Sequence, residues 1–304
     1  MTLDSYPDLP VGGEEGHIPS PLGAQPLLEM RSVSMRFGQT GVLREISLGI
    51  AAGSSVAIIG ESGCGKSVFL KLLIGLLTPS SGTVHFGGTS LAEMRASDLM
   101  RLRMRFGYLF QSGALFDSLS VFENIAFGLR QKNKGKEREI DEIVRERLTE
   151  VGLPLTALHR MPSELSGGQR KRVGLARALA MNPEIMLYDE PTTGLDPIMS
   201  DIINELILRV GESHPGMTSL VITHEMKTVF RVADRVIMLQ PLALVPAGEP
   251  QVLFDGTVGA LRLSPDPRVQ EFIRGDASRR IQSATERDAL IDPPLDLPPG
   301  GLHP

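Results

Sequence analysis

From Leu27 to Arg36 and again from Val42 to Ile50, apolar and polar residues alternate, with Gly38-Gln39-Thr40-Gly41 between the two runs. A period of two broken by a glycine-bearing turn predicts a hairpin of half-buried strands. Ser55 to Ile59 is instead a short apolar, β-branched run bounded by glycines, which predicts a strand buried on both faces. The spacing becomes helical from Val68 to Leu77. Pro79 to Gly82 reads as a turn, Thr83 to Phe86 as a short strand, Ala96 to Arg103 as a helix and Arg105 to Phe110 as another strand. A helical pattern runs from Val121 to about Val151, interrupted at Gly135, and another from Arg170 to Met181. Ile185 to Tyr188 and Met217 to Thr223 have the length and composition of buried strands, and Ile198 to Val210 between them is helical. Val232 to Leu239 and Gln251 to Phe254 are the last expected strands, separated by a proline-punctuated loop from Pro241 to Pro250, and Pro267 to Arg274 reads as a short helix. This alternation of strands and helices predicts an α/β protein.

The ends have no such period. Residues 1–26 are rich in proline, glycine and acids and read as a disordered leader, and residues 276–304 turn polar and then proline-rich and read as a disordered tail. That leaves a main domain over 27–240 and an extension over 241–275. From Lys132 to Arg147 charges of both signs crowd together, Arg138 with Asp141 among them, which predicts a solvated helix face.

Composition narrows the class. At 304 residues and 41% hydrophobic content the chain can bury a sizeable core. No apolar run approaches the roughly 18 residues of a membrane span, and the amino terminus lacks a basic segment followed by an apolar one, so a soluble, cytosolic protein is expected. A net charge of -5 argues against nucleic acid as a partner, because counterion release needs clustered Lys and Arg. Cys64 is the one cysteine, which excludes an intrachain disulfide framework.

The densest chemistry lies where the first buried strand meets its helix. Gly60-Glu61-Ser62-Gly63-Cys64-Gly65-Lys66-Ser67 reads as G-x-x-x-x-G-K-S, the phosphate-cradling loop, in the strand-then-helix context that motif requires. Glycines at 60, 63 and 65 let successive N–H groups turn onto phosphate oxygens, and the helix beginning near Lys66 adds its positive end. Lys66 would reach the β- and γ-phosphates, and the Ser67 hydroxyl would take one position on Mg²⁺. Val68 stands where a second hydroxyl is common, leaving only its backbone N–H for the α-phosphate. Cys64 within this loop is either alkylation-sensitive or an inert small residue chosen for fit. Phe37 could stack on adenine if exposed, or be an edge aromatic of the sheet.

A second anion site is written at Leu165-Ser166-Gly167-Gly168-Gln169, where Ser166 is a good N-cap and the glycines expose N–H groups at a helix start. Asp189 and Glu190 follow an apolar strand, and two carboxylates there are costly unless they hold a metal or do chemistry. Asp189 fits the acid on the magnesium side, and Glu190 fits the base that activates an attacking water. Gln111 and His224 end two further strands.

In this order, Phe37, the phosphate loop, Gln111, the LSGGQ run at 165–169, the strand ending Asp189-Glu190, the Gly194-Leu195-Asp196 turn and His224 resemble the nucleotide-binding subunit of ATP-binding cassette (ABC) transporters over about residues 28–240. The resemblance implies a P-loop NTPase of the ABC ATPase type, with an antiparallel β subdomain and a helical subdomain at about 111–180 carrying the signature. It implies ATP and Mg²⁺, the metal near Ser67, Gln111 and Asp189, and a head-to-tail pair of copies sandwiching each ATP between Lys66 of one and Ser166 to Gly168 of the other. It implies that His224 holds the γ-phosphate, Asp196 crosses the interface and Gln111 couples the site to a membrane partner. A narrower likeness in Leu109 to Phe116, Met161 to Glu164 and Ser264 to Phe272 is to ATPases of Mla-type phospholipid transporters. That likeness implies a polytopic permease, an Mce-domain lipid-binding protein and a STAS-domain protein as partners, at the cytoplasmic face of a bacterial inner membrane. An importer of a polar small solute would carry the same core motifs. A soluble cassette ATPase acting on DNA or ribosomes would need a long coiled-coil insert or a second cassette, and the chain has neither. A P-loop kinase leaves LSGGQ unexplained.

Overall fold

The computed structural model describes residues 25–132, 137–246 and 248–275, so the expected leader apart from Gln25 and Pro26, the expected tail and the interruption expected at Gly135 lie outside the described residues. By internal contacts the chain divides into two units, Met1–Leu261 and Arg262–Pro304.

In the first unit, the alternating runs form β1 (Leu28–Phe37) and β2 (Thr40–Ile50), an antiparallel hairpin with Phe37 opposite Thr40. The glycine-bounded run is β3 (Ser55–Gly60), followed by α1 (Lys66–Leu73), β4 (Ser81–Phe86) and the two-residue β5 (Thr89–Ser90). β2, β1, β4 and β5, in that order, make a four-stranded antiparallel sheet. The expected helix to Leu77 ends earlier, at Leu73. Gly75 takes the left-handed conformation (φ 65°), and the N–H groups of Leu76 and Leu77 turn back to the Lys71 carbonyl, a glycine-dependent helix ending.

The chain continues through α2 (Ala96–Arg103) and β6 (Phe106–Leu109) into α3 (Val121–Lys132), α4 (Glu137–Glu150) and α5 (Gly167–Ala180). Each of the first two of these helices buries one stripe at a spacing of four, Val121, Ile125 and Leu129 on α3 and Ile140, Val144 and Leu148 on α4. The opposite face of α4 is charged as expected but paired differently: Arg138 reaches Glu142, and Asp141 accepts from Arg145. Each of these is an i,i+4 contact, the spacing that brings side chains together on a helix.

Then follow β7 (Ile185–Asp189), α6 (Pro197–Ser213), β8 (Thr218–Ile222), α7 (Met226–Val232), β9 (Arg235–Leu239), β10 (Val252–Thr257) and α8 (Val258–Arg262). The expected strand from Val232 is shorter, because Val232 closes α7, a seven-residue helix without a long apolar stripe. The six-stranded sheet has the order β10-β9-β3-β8-β7-β6. Only β10 is antiparallel to its neighbour; β9, β3, β8, β7 and β6 all run the same way. Alternate residues of its strands face two cores. Ile185 and Leu187 pack with α1 and the four-stranded sheet. Met186 and Tyr188 pack with α3 to α6. In the second unit, α9 (Pro267–Arg274) begins at Asp266, whose carboxylate accepts from the Arg268 N–H, and ends at left-handed Gly275.

Candidate functional site

Because β3, β8, β7 and β6 are parallel neighbours, their carboxyl ends share one edge of the sheet, the edge where open α/β sheets bind ligands. That edge receives the phosphate loop from β3, His224 after β8, Asp189 and Glu190 from β7, and Gln111 after β6.

The loop needs its glycines for two separate reasons. Gly65 sits at φ 99° as the N-cap of α1, with no side-chain cap bond. Gly60 (φ 143°) passes so close to β9 that a Cβ there would lie 2.1 Å from the Leu239 carbonyl oxygen. Lys66, first residue of α1, folds its Nζ back along the loop and donates to the carbonyls of Gly60 (2.7 Å) and Glu61 (2.9 Å). Ser62, Gly63 and Ser67 are exposed, and Val68 is half-buried. Cys64 is fully buried, and burial pushes its thiol up from the ordinary range against the opposing pull of Lys66. That environment favours the inert small residue over alkylation sensitivity. Phe37 is about half exposed at the hairpin end.

Asp189 and Glu190 are both half-buried. Oδ2 of Asp189 accepts from the Tyr108 hydroxyl on β6 at 2.8 Å. Burial and the neighbouring carboxylate hold that phenol protonated, well above its ordinary range. Glu190 has φ 49°, left-handed backbone for a residue with a side chain. Its N–H donates to the Ile222 carbonyl, and its Oε2 lies 2.9 Å from Nδ1 of His224 and accepts from Thr193 Oγ1 at 3.0 Å. The carboxylate is thereby aimed by two groups from different segments, with both contacts on one oxygen.

The LSGGQ run starts α5. Ser166 Oγ accepts from the Gln169 N–H at 3.2 Å, and the Gln169 side chain accepts from the Ser166 N–H at 2.9 Å, a reciprocal capping box. Leu165 is buried and Gly168 packs under Met199, where a Cβ would lie 2.3 Å from Cε. Asp196 caps α6, its Oδ1 accepting from the N–H groups of Ile198 and Met199. Gln111 is exposed after β6.

Among the described residues no three His, Cys, Asp or Glu side chains form a metal cage. An exposed Ser67 hydroxyl and an Asp189 with one oxygen engaged suit a hard cation that keeps most of its waters. Sequence reasoning missed Tyr108, Thr193 and Lys171, a buried lysine on α5. Only Lys171 left a sequence signal, as a charge on the apolar side of an otherwise amphipathic helix.

Residues 43–193 match the profile of the ABC transporter family. The chain is 39% identical to the probable ribonucleotide transport ATP-binding protein mkl of Mycobacterium leprae, over 91% of this chain and 76% of that protein. It is 37% identical to the intermembrane phospholipid transport system ATP-binding protein MlaF of Haemophilus influenzae, over 85% of this chain and 94% of that protein. Among solved structures it resembles the dimeric ATP-binding cassette MJ0796 bound to ADP and Pi, with a TM-score of 0.65 and 29% identity, covering 76% of this chain and 98% of that one. With the phosphate loop, the signature helix start and the carboxylate pair on one scaffold, the chain belongs to the ABC transporter family as a nucleotide-binding, ATP-hydrolysing subunit.

Proposed function

We propose that this chain powers phospholipid movement between membranes, acting as a head-to-tail pair at the cytoplasmic face of a bacterial inner membrane. The observation that carries the catalytic half is the aim of Glu190: His224 and Thr193 hold its carboxylate at the strand edge that also presents the phosphate loop. In this reading Lys66 and the loop N–H groups hold the β- and γ-phosphates, with Phe37 stacked on the base. Ser67, Asp189 and Gln111 would hold Mg²⁺, which would supply neutralisation of the phosphate charge. Glu190 orients and deprotonates the attacking water, while His224 positions it and contacts the γ-phosphate. Ser166, Gly167 and Gly168 of the other copy supply N–H donors from a helix start, and Asp196 lies at the interface between copies.

The cargo reading rests on the likeness to MlaF, a phospholipid transport protein by name, which this chain matches over nearly its whole length. The partners proposed are a polytopic permease, an Mce-domain lipid-binding protein and a STAS-domain protein. An exposed aromatic pair, Phe116 and Phe127 with ring centroids 4.7 Å apart, is an apolar surface for a permease helix. The name of mkl points instead to a ribonucleotide cargo, and a polar solute is the second reading.

Glu190→Gln is expected to bind ATP, lose on the order of 10² or more in turnover and accumulate as an ATP-bound dimer, as removal of a positioned base does. Wild-type hydrolysis by that variant would show that the base is another group. Purification of the subunit from detergent-solubilised native membranes separates the cargoes: a permease with an Mce-domain protein and phospholipid supports the lipid reading, whereas a permease with a solute-binding protein overturns it.

A further inference from the structure

Lys171 sits in the second turn of α5, is only 4% exposed, and among the described residues meets no carboxylate within hydrogen-bonding distance. Its Nζ instead faces three main-chain carbonyls of one turn, those of Pro191 (2.7 Å), Thr193 (2.7 Å) and Glu190 (3.5 Å). An ammonium has three donors, and this turn supplies three acceptors. Burying a charge in this way is costly unless the geometry is well satisfied, and the cost is visible in the depressed basicity of the amine, caused by burial and countered by Glu225 and Glu190.

The turn it grips holds the one strained backbone position in the site. Glu190 lies at φ 49°, a conformation that a side-chain-bearing residue rarely adopts and that persists only where its surroundings enforce it. The N–H of Glu190 is fixed by Ile222 on one side. The carbonyls on the other side are fixed by Lys171.

We infer that Lys171 is a positioning residue for the reaction: its ammonium gathers the carbonyls of Glu190, Pro191 and Thr193 and so holds Glu190 left-handed, with its carboxylate on Thr193 and His224. This rests on the reading of Glu190 as the base. Because Lys171 stands five residues after Ser166 on the same helix, it also ties the signature helix start directly to the turn bearing the base, so a disturbance at one end of α5 reaches Glu190 through a single side chain. In a head-to-tail pair the signature of one copy serves the other copy's nucleotide, and Lys171 is then a mechanical link from one ATP to the base that acts on the other.

The test uses Lys171→Met, close in volume and without the charge, alongside Lys171→Ala, each as the full chain. Lys171→Met is expected to lower kcat by about 10- to 100-fold, the scale of a misplaced catalytic group, with the KM for ATP within a few-fold of wild type. The cavity left in Lys171→Ala is expected to accept propylammonium, which should raise kcat in a saturable way while leaving Glu190→Gln unaffected. Wild-type turnover by Lys171→Met overturns the inference. So does a joint fall in nucleotide affinity, kcat and melting temperature that propylammonium does not reverse, because that is the pattern of a packing residue. If Glu190→Gln itself turned over normally, the assignment of the base would fail first, and Lys171 would then have nothing to position.

Discussion

At the scale of single residues, the site divides into groups that act through their own atoms and groups that aim them. Lys66 is proposed to be of the first kind. Its Nζ is within reach of the loop's own carbonyls, and a hydrogen bond from an ammonium to a phosphate is worth about 1.5–3 kcal/mol. Lys66→Ala should therefore weaken ATP binding by about tenfold or more, checked by titration calorimetry, while the melting temperature without nucleotide moves little. Of the residues proposed to act directly, those of the phosphate loop and the LSGGQ run were legible in the sequence, because each lies in a contiguous motif whose spacing is its geometry. Gly60 to Ser67 needs only its own turn, and Ser166 with Gln169 is a capping box three residues apart. Tyr108 and Thr193 were not legible. The phenol reaches Asp189 only because β6 pairs parallel with β7 and sets Tyr108 opposite Leu187, a register fixed by the assembled sheet. Thr193 reaches Glu190 only because residue 190 is left-handed.

At the scale of elements, most periodic segments were readable, down to the eight residues of α2 and α9, and the seven-residue α7 was not. β1, β2, α2 and α9 match their periods, since each presents one apolar face to one environment. α7 escaped notice because seven residues give fewer than two helical turns of pattern, and its register is held from outside. Glu205 on α6 accepts from Arg231 of α7 at 2.8 Å and from Arg209 on its own helix at 3.1 Å. Those two guanidinium groups, Arg231 foremost, hold the Glu205 carboxyl below its ordinary range. A depressed carboxylate contributes stability above its unfolded pKa and loses it as the pH falls through the folded one. The melting temperature of Glu205→Gln should thus lie slightly below wild type at neutral pH, and the gap should close below about pH 4. A gap that stayed constant down to pH 3 would mean that the side chain stabilises by packing alone.

At the scale of the whole molecule, five parallel strands gather residues scattered from position 60 to position 224 onto one sheet edge, and a hydrophobic core packs on each face of that sheet. The α/β class could be inferred from the order of strands and helices and the β1–β2 hairpin from its turn, whereas the antiparallel subdomain was implied by the family resemblance. The strand order β10-β9-β3-β8-β7-β6 could not, since it depends on which runs meet after crossing over helices. One consequence follows for Cys64, the sole thiol in 304 residues, which is sealed with no exposed surface beneath the cradle. A bulky thiol reagent can reach it only in the moments when the loop lifts off the sheet, so labelling speed counts those moments. The protein therefore carries a built-in stopwatch for its own nucleotide site. With ATP at about a hundred times its Kd, and the open form unable to bind it, labelling should slow by about a hundredfold. A rate indifferent to ATP would mean that the thiol becomes accessible by a motion that leaves the cradle closed.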